Sequence, residues 1–142
     1  MAKLYIVRGL PGSGKSTWCK NNLKSFTDFH IEADQYFQRY ENSEYDFDAK
    51  FLSEAHDWCY ANTVYWLREG FNVYVSNTFT KIWEMERYLA IPSKLPDVQV
   101  EIVEIKTQFK SVHGVPEEKM KQMAARWEEI PEEWDINIEK II

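Results

Sequence analysis

Apolar and polar positions along the chain fall into blocks of two different periods. Leu4-Tyr5-Ile6-Val7 is a short continuous apolar run, the pattern of a strand buried on both faces. A glycine-rich stretch, Gly9 to Gly14, follows it, and Lys15 to about Lys24 then suits a helix. Phe29 to Ala33 reads as a second strand ending at Asp34. From Asp48, a plausible N-cap, the positions Phe51, Ala55, Trp58, Cys59, Asn62, Tyr65 and Trp66 keep helical spacing, Asn62 being the polar member of the stripe, and Gly70 closes that helix. Phe71 to Val75 is β-branched and aromatic, which predicts a third strand. Thr80 can cap a helix through Leu89 that Ile91-Pro92 breaks, and Val98 to Ile105 predicts a fourth strand. Pro116 with Glu117 and Glu118 is a favourable helix start, and Met120, Met123, Ala124 and Trp127 line one face after it. Four strands alternating with helices imply an α/β three-layer sandwich around a parallel sheet. Ligands of such sheets bind beyond the carboxyl ends of the strands.

Composition adds limits. The 142 residues suit one domain, 1–142, and 44% hydrophobic with 28% charged residues is ordinary for a globular chain. No apolar run nears the roughly 18 residues of a membrane span. Cys19 and Cys59 make no metal or redox spacing, so the expectation is a reduced, cytoplasmic protein. The net charge of −6 is unevenly spread. Residues 1–27 hold Lys3, Arg8, Lys15, Lys20 and Lys24 and no acid, so a local basic mouth on an acidic body is the expectation. Lys20 and Lys24, four apart, would share one face of the first helix.

Gly9-Leu10-Pro11-Gly12-Ser13-Gly14-Lys15-Ser16 satisfies G-x-x-x-x-G-K-[ST] between a strand and a helix, the P-loop context. Its glycines let successive backbone N–H groups point into one concavity, and the helix aims its positive end there. Gly9, Pro11, Gly12, Ser13, Gly14, Lys15, Ser16 and Thr17 are the expected ATP-binding residues, with Lys15 on the outer phosphates and the Ser16 hydroxyl on Mg²⁺. No N-K-x-D guanine-reading motif is present, and a chain this short leaves little room for a motor's extra elements. Asp34, at the carboxyl end of the second strand and beside the first, can take the proton of an acceptor hydroxyl or can cap the next helix.

The run from Gly9 to Trp18, with Asp34-Gln35-Tyr36 at this distance, resembles the kinase domain of phage polynucleotide 5′-kinases. His56-Asp57-Trp58-Cys59, Asn77-Thr78 and His113-Gly114-Val115-Pro116, in that order, extend the resemblance to zeta-toxin-like kinases and small P-loop ATPases over residues 3 to 127. It implies ATP and Mg²⁺ on Lys15 and Ser16, and Asp34 as general base toward a DNA or RNA 5′-hydroxyl. Two departures stand out. Ser76 occupies the place before Asn-Thr where the family commonly has an acid, and Lys110-Ser111 replaces the usual Arg-Asn of the lid, here residues 106–115. Lys110, Arg87 or Arg126 would then neutralise transition-state charge, although lysine cannot make arginine's bidentate fork.

Tyr36, Phe37, Tyr40, Tyr45 and Phe47 can form a hydrophobic lid over the sheet edge or a stacking surface for bases. His56 has no ligand at metal spacing and fits a surface or hydrogen-bonding role. Residues 128–142, with five acids around Trp134, read as a solvated tail or a protein-docking segment. Three functions compete. A polynucleotide 5′-hydroxyl kinase suits the acid-free first 27 residues, and a kinase for a nucleoside or sugar nucleotide suits the pI near 5.1. A regulatory ATP-binding module suits the lost lid arginine and Ser76.

Overall fold

Leu4 and Ile6 have no solvent exposure. They lie in β1 (Lys3–Arg8), which pairs in parallel with β3 (Asn72–Asn77) and with β4 (Gln99–Ile105). Ile6 sits opposite Val75 on one flank and Ile102 on the other. The computed structural model describes residues 2–24, 26–38, 49–106 and 117–141. β2 (Asp28–Ile31) pairs with β3, and β5 (Asn137–Ile141) with β4, so the all-parallel sheet runs β2-β3-β1-β4-β5.

Alternation along β1 separates two cores. Leu4 and Ile6, with Val73, Val75 and Ile102, pack against Ala55, Cys59 and Leu67 of α2 (Leu52–Arg68) and Met85 and Tyr88 of α3 (Ile82–Leu89). Val7, Tyr74 and Val103 face the other way, onto Cys19 and Trp18 of α1 (Lys15–Asn22). On that side the Tyr5 and Tyr74 rings, a register pair, stack at 4.2 Å. Each fully buried aliphatic side chain contributes about 1.5–3 kcal/mol relative to exposure. The result is the α/β three-layer sandwich with a parallel sheet.

Several boundaries differ from those the sequence predicts. The long helix starts after a 3-10 turn at Ala49–Phe51 and ends as expected at Gly70 (φ 94°), where Gly70 and Phe71 donate to the carbonyls of Leu67 and Trp66 at 3.0 Å. Thr80 is not the cap of α3. Its hydroxyl donates to Glu84 Oε1 at 2.9 Å, while that oxygen takes the Lys81 N–H at 2.8 Å. Pro92 ends one helix and sits in the first turn of the next, α4 (Ile91–Lys94). α5 (Glu117–Ala125) buries no residue fully, so its apolar face is only half covered. α1 stops at Asn22, which leaves Lys24 outside the helix; its N–H instead donates to Asp28 Oδ2 at 2.9 Å. Asp28 begins β2 at the amino edge, so Lys24 lies at the opposite end of the sheet from the loop after β1.

The fifth strand comes from the segment expected to be a solvated tail. Ile102 pairs with Ile138 and Ile105 with Ile141, while the backbone of Lys106 donates to the Ile141 carbonyl at 2.7 Å. Glu128 is equally engaged: its carboxylate accepts the Ile82 N–H that opens α3 at 2.8 Å. Its own N–H donates to the Thr80 carbonyl at 2.7 Å. Among the described residues no helix is long and apolar enough to cross a membrane.

Candidate nucleotide-binding and phosphoryl-transfer site

The loop between β1 and α1 is shaped by what its glycines permit. A Cβ on Gly9 would lie 2.5 Å from Ser13 Oγ and 2.9 Å from the Ile105 carbonyl, so no side chain fits. Gly12 (φ 79°) and Gly14 (φ 93°) take the left-handed conformation, and Gly14 stands at the N-terminus of α1 without a side chain to cap it. The first N–H groups of a helix have no partner within it, so this end is open to an anion. Ser13 Oγ is buried without a hydrogen-bond partner among the described residues. That orphaned hydroxyl and the uncapped helix are features a bound polyphosphate satisfies.

Lys15 donates from Nζ to the Leu10 carbonyl at 3.2 Å, which folds the ammonium over the loop. Burial lowers its pKa, while the carboxylates of Glu32 and Asp34 act in the opposite sense. Both acids therefore lie within electrostatic reach of the loop's cation. Asp34 sits in the first turn of the 3-10 helix Ala33–Gln38 that follows β2. The strand order corrects one expectation: β2 is not beside β1, because β3 runs between them.

What holds this corner is Asn77. Its Oδ1 accepts the Ala33 N–H at 3.0 Å, and its Nδ2 donates to Cys59 Sγ at 3.6 Å. The chain between Glu32 and Asp34 is thus fastened to the carboxyl end of β3. Glu32, which the sequence pattern does not single out, is held by several side chains. Its Oε2 accepts from Ser16 Oγ at 2.7 Å and from Ser76 Oγ at 3.0 Å, and His30 Nε2 approaches Ser76 Oγ at 2.7 Å and Glu32 at 3.5 Å. Burial on its own would raise the Glu32 pKa, but hydrogen bonds from His30, Ser16 and Ser76 bring it down to about 2. The carboxylate is ionised at any ordinary pH. A signal for it existed in the sequence, since Glu32 lies two residues from Asp34 at the same strand end.

Of the candidate lid cations, Lys110 lies outside the described residues, as do Ser111, His113 to Pro116, Asp48 and the aromatics Tyr40, Tyr45 and Phe47. Arg87 is ion-paired with Asp57 at 3.0 Å and lies over the Tyr60 ring. Arg126, just after α5, is exposed. Lys106 reaches Glu129 at 3.5 Å and Lys81 reaches Glu128 at 3.8 Å. Tyr36 and Phe37 meet edge-on at 5.6 Å, and Tyr36 donates to Glu54 at 2.8 Å. His56 is half-buried on α2, and burial lowers its pKa among Glu84, Arg87, Asp34 and Asp57. No group of three His, Cys, Asp or Glu residues able to hold a metal occurs among the described residues. A phosphate-bound Mg²⁺ needs none, because it keeps waters and takes one or two protein oxygens. Ser16, with Glu32 behind it, fits that requirement.

The chain resembles known proteins over most of its length. It is 31% identical to NEDD4-binding protein 2 of Homo sapiens, with 88% of this chain and 8% of that protein aligned. A chain of the Pnkp1/Rnl/Hen1 complex superposes with a TM-score of 0.57 at 17% identity, covering 96% of this chain and 44% of the other. A gluconokinase from Sinorhizobium meliloti superposes at 0.56 and 17% identity, over 98% of this chain and 82% of its own. The chain thus spans under a tenth of the first of these relatives and less than half of the second. The two superposed structures share the kinase-like P-loop fold with this chain. A family model described as an AAA domain matches residues 4–122, from β1 through the loop and both acids into α5, and the chain belongs to that family.

Proposed function

We propose that the chain is an ATP-dependent phosphotransferase that moves the γ-phosphoryl group to the 5′-hydroxyl of a DNA or RNA end. The observation that carries this reading is the placement of Asp34. The Asn77 clamp on Ala33 holds it two residues from Glu32 and within electrostatic reach of Lys15. A carboxylate near the lysine of the phosphate loop is suited to take the proton of an acceptor hydroxyl. The uncapped N-terminus of α1 and the loop N–H groups bind the phosphates, and Lys15 neutralises the charge that builds on the transferred group. Asp34 accepts the proton as the acceptor oxygen attacks the γ-phosphorus, and the bond to the β–γ bridging oxygen breaks to release ADP. Ser16 would hold Mg²⁺, which when bound would supply neutralisation of the phosphate charge. The Pnkp1/Rnl/Hen1 assembly is an RNA repair complex, which supports a nucleic-acid acceptor here.

A second reading, a kinase for a small hydroxyl compound, has its own support. Lys81, Arg87 and Lys106 are paired with acids, and the net charge is −6. Neither property favours a polyanion. One assay separates the two: γ-labelled ATP offered side by side with 5′-hydroxyl oligonucleotides, nucleosides and sugar nucleotides. Label on the oligonucleotide is expected. Label on a small acceptor alone transfers the assignment to the second reading, and no label on any acceptor removes both.

A further inference from the structure

We propose that Glu32 is the acid that orients the metal-binding hydroxyl of Ser16, taking from β2 the role that an acid at the end of β3 would otherwise fill. The inference rests on Mg²⁺·nucleotide binding at the loop and is independent of the acceptor. P-loop proteins hold Mg²⁺ with the loop Ser or Thr and with an acid from a strand end. Here β3 ends in Ser76 and Asn77, and neither is an acid.

The strand register explains how the acid can change strands. β2 and β3 are adjacent and parallel, with His30 opposite Tyr74 and Ile31 opposite Val75. The next residue of each strand, Glu32 and Ser76, meets its neighbour across the gap at 3.0 Å. A short serine on β3 leaves room for the longer glutamate arm to cross toward α1. It also donates a hydrogen bond where an aspartate would bring a second negative charge. His30 Nε2 contacts Ser76 Oγ at 2.7 Å, and the tautomer that donates from Nε2 leaves the serine proton for Glu32.

The consequence falls on Ser16. A hydroxyl has one proton and two lone pairs, and the Ser16 proton is committed to Glu32 Oε2 at 2.7 Å. The lone pairs are then left for a cation on the phosphate side. Partners of this kind fix the direction of a metal ligand and raise its basicity, and their loss typically costs 10–100-fold in metal affinity. Glu32 is therefore a positioning residue, acting through Ser16.

The test uses binding and not turnover. Affinity for a fluorescent ADP analogue is titrated with and without Mg²⁺ for the native chain, for Glu32→Gln, and for the double variant Glu32→Ser/Ser76→Asp, with thermal melting alongside. The native chain is expected to bind more tightly with Mg²⁺. Glu32→Gln should keep the Mg²⁺-free affinity and lose about 10–100-fold in apparent Mg²⁺ affinity. Returning the acid to β3 in the double variant should recover most of that loss. Full Mg²⁺ dependence in Glu32→Gln overturns the inference, and so does an equal drop with and without Mg²⁺, which marks a structural role. Should Glu32→Gln fail to fold, the double variant decides: a folded chain without Mg²⁺ dependence overturns the inference. A native chain that binds no nucleotide, or binds it without regard to Mg²⁺, removes the nucleotide reading itself, and that failure is visible before any variant is made.

Discussion

Arg8 and Glu104 form an ion pair at 2.9 Å, with side-chain exposures of 0% and 1%. Arg8 is the last residue of β1, directly before Gly9, so this pair anchors the start of the phosphate-binding loop. Its other two nitrogens are engaged as well. Nε and Nη2 reach the Phe79 carbonyl at 3.0 and 2.7 Å, and Nη2 also reaches the carbonyls of Thr80 at 3.3 Å and Glu128 at 2.9 Å. The guanidinium lies 3.8 Å from the Trp127 ring centroid. One side chain therefore joins β1, the β3–α3 connection, β4 and the C-terminal segment. It also holds Phe79 in a left-handed conformation, φ 46°, that a bulky residue seldom adopts unaided.

Removing one member of such a pair should be far worse than removing both. Arg8→Met strands the Glu104 charge and takes the donor from the Phe79 and Glu128 carbonyls, and it is expected to lower unfolding stability by about 3–5 kcal/mol. Arg8→Met/Glu104→Leu should recover part of the loss, because no isolated charge remains. Urea unfolding of the two variants measures the difference. Equal midpoints would mean that the carbonyl bonds, and not the ion pair, set the stability here.

Lys15→Ala removes the cation that folds over the loop, and ATP affinity should fall with loss of transfer. Calorimetric titration with ATP is the direct check. Unchanged affinity together with full turnover would end the assignment of this loop to phosphate binding.

Asp34→Asn should preserve fold and ATP affinity while lowering kcat by about 10²–10⁴, the usual contribution of a general base. The variant keeps the shape of the side chain and loses only its capacity to take a proton. A kcat near the native value would demote Asp34 to a residue of the 3-10 turn.

The two cysteines should be inert in the native state. Burial pushes the Cys19 thiol up to about 12, and burial also raises Cys59. At pH 8 only about one Cys19 in 10⁴ is then ionised, so Ellman's reagent should label it slowly. The stability consequence has a definite sign. Between the ordinary thiol value of 9.0 and about 12 the unfolded chain ionises while the folded chain does not, so native stability should fall as pH rises through this window. Because Cys19 lies in α1, bound nucleotide should slow its labelling further. Rapid labelling of both thiols at pH 8 would contradict the buried packing.

What was legible in the sequence follows how local each determinant is. The Gly9–Ser16 loop is encoded by backbone freedom within eight positions, and it needs only the preceding strand and following helix for context. Asp34 was legible because a strand end announces itself. The Glu32–Ser76–His30 cluster was not, since it exists only when β3 lies between β2 and β1, an order that spacing does not reveal. Arg8 looked like part of a basic mouth, yet its burial depends on partners 71 to 120 residues away. β5 was hidden by its own edge position: Glu139 and Lys140 are what an edge strand carries to resist pairing with other chains, and they read equally as a tail.

The acceptor question turns on where the free positive charge lies. Lys20 closes α1 and Lys24 sits beside the start of β2, so both point attention to the amino edge, away from the loop. At the carboxyl edge Lys106 is the described cation next to the site, shared between Glu129 and the Trp127 ring. From the cations of the described residues alone, an oligonucleotide acceptor should make no more than about two phosphate contacts outside the ATP site. The log–log salt slope for a single strand should be no steeper than about −1.5. Lys20→Glu/Lys24→Glu should leave oligonucleotide affinity unchanged, whereas Lys106→Gln should weaken it and make the slope shallower by about 0.7. Fluorescence anisotropy with a labelled 5′-hydroxyl oligonucleotide over a salt series measures all three. A steep slope that collapses in the Lys20/Lys24 variant would place the strand along α1, and the path of the acceptor would have to be redrawn around that helix.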